Sequence, residues 1–139
     1  EAYLGWRNVP ENKLMPYTHD WHSMKALNLS LSSIIQEGIN NACKRHEESA
    51  ELCRSLGREM GLKLFPKNED FCSPTVSAFY VPKKFTWHEF NYLLREKGLV
   101  IGGNYGKLSG QVFRVGHMGS QADINLVKLG MNIISEIIK

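Results

Sequence analysis

The sequence predicts one two-layer α/β (α+β) domain, in which helices cover one face of a small, mostly antiparallel sheet. The chain has 139 residues, of which 42% are hydrophobic, and this length can bury a core without disulfides or a metal. Its apolar residues recur at helical spacing in some segments and form short β-branched runs in others. The predicted order is ααββαββα, which favours helices packed on one side of a sheet.

The helices are predicted from their periodicity and their end signals. Apolar residues recur from Asp20 to a stop at Gly38, and a second helix with a charged face covers 39–60 before Gly61. A capping box, Thr86 with Glu89, opens a helix over 86–97. Ser120 and Asp123 open the last helix. The apolar side of the second helix is predicted to comprise Ile39, Cys43, Ala50, Cys53 and Leu56.

Four short segments are predicted as strands: 62–65, 75–81, 99–101 and 111–115. The second is rich in β-branched and aromatic residues and is bounded by Pro74 and Pro82, which suits the ends of a strand. A glycine-rich loop joins the last two strands, because seven of the twelve glycines fall between Gly98 and Gly119. These strands would form the sheet.

Composition argues against several classes of protein. The net charge is +3, but acidic and basic residues alternate, so no stripe for nucleic acid is predicted. No apolar run approaches the roughly 18 residues of a membrane span. The three cysteines lack CxxC spacing, which favours reduced thiols and a cytoplasmic location. The chain begins at Glu1 rather than Met, as a processed or partial chain does.

Arg114 is the strongest candidate for a ligand-binding residue. It lies in GLVIGGNYGKLSGQVFRVGHMG (98–119), on a predicted strand beside glycines that would let a ligand approach the backbone. Val112, Arg114 and Gly116 should share one face of that strand. A guanidinium held there suits the carboxylate of an amino or keto acid, because its planar fork makes two parallel charged hydrogen bonds. An ion pair with a surface Asp or Glu is the alternative.

Weaker candidates lie at both ends of the chain. Tyr17, Thr18 and His19 precede a helix, where backbone N–H groups favour an anion such as phosphate, although Thr18 or Asp20 would also serve as a plain N-cap. His19 and His22 have the i, i+3 spacing of a zinc pair but lack a third ligand, so no metal site is predicted. His117 has the chemistry of a general acid or base.

Residues 13–138 resemble the C-terminal third of the class V, fold-type I pyridoxal-phosphate aminotransferases, the alanine–glyoxylate, serine–pyruvate and pyridoxamine–pyruvate group. The strings that carry the resemblance are RHEESAELCRSLGREMGLKLF, SPTVSAFYVP and, most specifically, GLVIGGNYGKLSGQVFRVGHMG. The resemblance implies the C-terminal small domain of such an enzyme over 20–139. It also implies that 1–19 is an interdomain or dimer-contact segment.

The resemblance further implies transfer of an amino group from a small amino acid to a 2-oxo acid such as glyoxylate or pyruvate. In that group the arginine matching Arg114 binds the substrate carboxylate. The resemblance also implies that the segment with Tyr17 and Thr18 reaches the cofactor phosphate of the partner subunit across a homodimer. Tyr105 occupies a loop position that varies with the substrate.

The resemblance places most of the pyridoxal 5′-phosphate site, including the Schiff-base lysine, in an N-terminal large domain or a companion chain. Residues 23–28, SMKALN, imitate the lysine segment of the group, but Lys25 falls inside a helical period and is interpreted as a solvent-facing lysine. The alternative function is a stand-alone module of the same fold that binds a carboxylate or a protein without catalysis.

Overall fold

The computed structural model describes residues 18–139, and the chain divides into two compact units, Glu1–Ile39 and Asn40–Lys139. In the first unit, helix α1 (Trp21–Glu37) begins after Asp20, whose carboxylate accepts a hydrogen bond from the Ser23 N–H at 3.0 Å. The helix ends at Gly38, where φ is 86°, a conformation that favours glycine. The predicted first helix is confirmed. None of its residues is buried.

The second unit contains the sheet and the other helices. Its elements are α2 (Ile39–Glu59, which starts one residue before the unit), β1 (Val76–Tyr80), α3 (Trp87–Glu96), β2 (Val112–Gly116) and α4 (Ile124–Ile138). Both halves of the predicted capping box of Thr86 and Glu89 are present. Asp123 caps α4 by accepting hydrogen bonds from two backbone N–H groups. The cap residues therefore start these helices close to where the sequence predicts.

The sheet is smaller than predicted. β1 and β2 pair antiparallel, with Phe79 opposite Phe113 and Ala78 opposite Arg114. The predicted strands 62–65 and 99–101 are not continuous strands. Near the first segment, Leu64 makes a single antiparallel bridge to Phe79 of β1, and near the second, Gly102 makes a single antiparallel bridge to Arg114 of β2. Pro66 has no N–H to continue the first pairing, and consecutive glycines weaken the second.

The hydrophobic core lies on one face of this sheet, as predicted. Phe79, Phe113 and Val115 point toward it from the strands. The helices contribute Cys53, Phe90, Leu94, Val127, Met131 and Ile134. Burial of a large apolar side chain contributes roughly 1.5–3 kcal/mol, so this cluster holds β2 firmly against the helices. Among residues 18–139, no helix has the length and hydropathy that crossing a membrane requires.

The buried side of α2 agrees with the predicted one in part: Ala50 and Cys53 are buried and Leu56 packs against the core, as predicted. Ile39 and Cys43 are exposed. The buried residues of the helix are Ala42, Ser49, Ala50, Cys53 and Gly57. Small residues at these positions let α2 approach the sheet closely, which hydrophobicity alone does not indicate.

Candidate functional site

Arg114 is fixed by its backbone at the centre of β2. It lies opposite Ala78 on one side, and on the other its N–H donates to the Gly102 carbonyl at 2.7 Å. The Gly102 N–H donates back to the Arg114 carbonyl at 3.2 Å. Because Phe113 and Val115 point into the core, the Arg114 side chain emerges on the opposite face of the sheet, where it is half-buried.

The guanidinium of Arg114 has one internal hydrogen bond and two unused nitrogens. Its Nε donates to the Gly103 carbonyl oxygen at 2.9 Å. Within residues 18–139, neither Nη1 nor Nη2 has a hydrogen-bond partner, and no carboxylate forms an ion pair with this arginine. The described residues therefore do not form the surface ion pair that was the alternative. The two Nη groups form the fork that suits a carboxylate.

Tyr105 covers the guanidinium from the loop. The Cζ atom of Arg114 lies 5.5 Å from the centre of the Tyr105 ring, a cation–π arrangement. The ring itself is 80% exposed. Arg114 also lines a cavity of about 450 Å³, whose walls include Leu99, Ile101 and Leu126. The site thus combines a charged fork with apolar surface and an exposed aromatic ring.

Of the two glycines that lie next to Arg114, Gly103 makes room for a protein group, the indole of Trp87. A Cβ atom at Gly102 would lie 3.4 Å from Nη2 of Arg114. A Cβ atom at Gly103 would lie 2.7 Å from the indole Nε1 of Trp87, which is too close. No signal in the sequence points to a role for Trp87 near Arg114, because its contact with Gly103 exists only in the folded chain.

The candidates at the start of α1 belong to the first unit. Thr18 is exposed, whereas Tyr17 lies outside the described residues. The N-cap is Asp20, and hydrogen bonds from Ser23 lower the pKa of its carboxyl group. A phosphate in the first turn of α1 would face this carboxylate and be repelled by it. We therefore interpret the N-terminal end of α1 as a plain N-cap formed by Asp20.

Lys25 is exposed on α1, as expected of a solvent-facing lysine, and every other lysine in residues 18–139 is exposed as well. A lysine that forms a Schiff base has to be held within a site, where burial and neighbouring groups tune its pKa. No described lysine is enclosed in this way, and the placement of the Schiff-base lysine outside this chain stays a prediction.

The histidines form no reaction centre among the described residues. His117 is fully buried, with its Nε2 atom 2.9 Å from Ser77 Oγ, and burial lowers its pKa. This position makes it a structural link between the strands instead of a general acid or base. Residues 18–139 contain no group of three or more His, Cys, Asp or Glu that could hold a metal, so His19 and His22 gain no third ligand there.

The chain is similar in sequence to known aminotransferases. An uncharacterised aminotransferase of Methanocaldococcus jannaschii is 38% identical over 110 residues, which are 78% of this chain and 28% of that protein. The alanine–glyoxylate aminotransferase of Mus musculus is 30% identical over 118 residues, 84% of this chain and 28% of that protein. No protein-family profile matches the chain.

The fold is found in solved structures. The alanine–glyoxylate aminotransferase of Nostoc sp. superposes with a TM-score of 0.87 at 24% identity, over 100% of this chain and 37% of that one. The fold is that of the C-terminal domain of the fold-type I aminotransferases. This chain is a homologue of part of the class V aminotransferases. It spans about 28% of the length of the curated relatives named above.

Proposed function

We propose that this chain is the C-terminal small domain of a pyridoxal-phosphate-dependent aminotransferase that moves an amino group from a small amino acid to a 2-oxo acid such as glyoxylate or pyruvate. The observation that carries the proposal is the Arg114 guanidinium, which is anchored on β2 and keeps both Nη groups unpaired within the described residues. The curated relatives named above are aminotransferases, and one of them is named for alanine and glyoxylate. The non-catalytic module has no comparable support.

In this proposal Arg114 binds and orients the substrate. Its two Nη groups hold the carboxylate through parallel charged hydrogen bonds, which restrict rotation of the substrate about its α-carbon. The bound cofactor supplies the electron sink for the reaction at that carbon. Tyr105, over the guanidinium, contacts the part of the substrate beyond the carboxylate and selects among side chains.

The rest of the site is proposed to come from other parts of the complete protein. Because this chain spans only about 28% of the length of the curated relatives, we place the Schiff-base lysine in an N-terminal large domain or a companion chain. Thr18, with Tyr17, is proposed to contact the cofactor phosphate of a partner subunit in a homodimer, with 1–19 as the contact segment and 20–139 as the small domain. The exposed apolar residues of α1 would be covered by that assembly. We expect a cytoplasmic enzyme.

The proposal is tested on the complete protein that contains this chain. The protein is loaded with pyridoxal 5′-phosphate, assayed for amino transfer from alanine to glyoxylate, reduced with borohydride and mapped by mass spectrometry. We expect turnover and a single cofactor adduct on a lysine outside residues 1–139. An adduct on Lys25, or neither adduct nor turnover with any small amino acid and 2-oxo acid, would contradict the proposal.

A further inference from the structure

The structure assigns to Trp87 and Gly103 a positioning role for Arg114: together they make its guanidinium receive a carboxylate end-on, through Nη1 and Nη2 only. This inference rests on the proposed function of Arg114. It adds a residue on α3 to the site, and it fixes which atoms of the arginine meet the ligand.

Gly103 lies between the side chains of Arg114 and Trp87. Its carbonyl oxygen accepts the Nε–H of Arg114 at 2.9 Å. On its other side, the place where a Cβ atom would be is 2.7 Å from Nε1 and 2.8 Å from Cε2 of Trp87. The glycine therefore packs directly against the indole. Any larger residue at this position would have to move away from Trp87 or from Arg114.

Trp87 itself is firmly held. Its ring is nearly parallel to that of Phe113, at an angle of 10° and a centroid distance of 6.4 Å. Phe113 is fully buried and precedes Arg114 on β2. The indole therefore sets the position of Gly103 relative to β2, the strand that carries Arg114. The contacts form a closed ring of four residues: Phe113, Trp87, Gly103 and Arg114.

This ring of contacts decides how the guanidinium binds. An arginine can hold a carboxylate side-on, through Nε and one Nη, or end-on, through both Nη groups. The bond to Gly103 uses Nε, so only the end-on pair remains. Since the guanidinium plane is fixed by the same bond, a single carboxylate meets the fork in one orientation.

The inference is tested by protection of Arg114 in the complete protein. Phenylglyoxal modifies arginines, and mass spectrometry gives the rate at Arg114 as propionate, a simple monocarboxylate, is added. Gly103→Ala adds a Cβ atom against the indole, so the guanidinium should shift. The propionate concentration that halves the modification rate of Arg114 should then rise about tenfold. Trp87→Phe in the same chain removes the atoms that clash and should return that concentration to within about threefold of wild type. Asn132→Ala is the control, because Asn132 is exposed on α4 and does not line the cavity next to Arg114.

The outcomes separate positioning from general stability. We expect the change in propionate protection to be confined to Gly103→Ala and not to follow the melting temperatures of the folded variants. Equal protection in Gly103→Ala and wild type, or no recovery in the double variant, would overturn the inference. If Gly103→Ala does not fold, Trp87→Leu replaces it, and protection unchanged by loss of the ring would overturn the inference. Propionate protection requires no turnover, so failure of amino transfer alone would count against the proposed reaction and not against this geometry.

Discussion

Replacement of Gly57 by alanine should destabilise the protein, although alanine favours a helix. Gly57 is buried in α2, and a Cβ atom there would clash with Cε1 of Phe79 and lie 2.6 Å from Cζ of the same ring. Phe79 has no exposed surface and packs on Phe113, so its ring has no room to retreat. Overpacking of a core costs about 1–3 kcal/mol, and the change from glycine to alanine in a helix returns about 1 kcal/mol. The expected net loss is up to about 2 kcal/mol.

Urea denaturation followed by circular dichroism measures this change, with Gly130→Ala as the control. Gly130 lies within α4, and its added methyl group would make only an ordinary contact with Leu99, at 3.5 Å. The same substitution should therefore stabilise the protein by about 0.5–1 kcal/mol at this position. If Gly57→Ala proves as stable as Gly130→Ala, the close packing of α2 on β1 is refuted.

Two further predictions concern pH and helix capping. Burial lowers the pKa of His117 below its ordinary 6.5, so the unfolded chain takes up the proton before the folded chain as the pH falls. The contribution of His117 to the free energy of unfolding should therefore be full above about pH 6.5 and decrease as the pH drops toward the lower folded pKa. This pH dependence should be weaker in His117→Gln. Urea midpoints measured between pH 5 and 8 check this, and equal pH dependence in both proteins would contradict it. Thr86→Ala removes the N-cap of α3 and should lower the free energy of unfolding by about 1 kcal/mol, whereas Thr86→Ser should lower it by about a few tenths of a kcal/mol. Equal urea midpoints for the two variants would rule out a contribution of the cap.

Helix ends could be predicted from the sequence because their signals are local. Gly38 ends α1, and Thr86 with Glu89 starts α3, through contacts within one turn of the chain. The position of Arg114 on a strand also follows from its neighbours, since Phe113 and Val115 alternate with it. These features need no knowledge of the tertiary structure.

The extent of the sheet and the surroundings of Arg114 could not be predicted in this way. The segments near Leu64 and Gly102 have strand composition, but each makes only one bridge to the sheet. The fit of Trp87 against Gly103 joins residues from separate elements, and no pattern in the sequence records it. Glycines near a candidate ligand site predict close approach of some group, while only the structure shows that at Gly103 this group is the indole of Trp87.

The central claim, that Arg114 binds the substrate carboxylate, is tested most directly by Arg114→Lys in the complete protein. The measurement compares KM for alanine with KM for ethylamine, which lacks the carboxylate, at saturating cofactor. Loss of the forked hydrogen bonds should cost about 1.5–3 kcal/mol, which is roughly a 10- to 100-fold higher KM for alanine, with no change for ethylamine or in the absorbance of the bound cofactor. Equal KM values for alanine in the variant and the wild type would contradict the account.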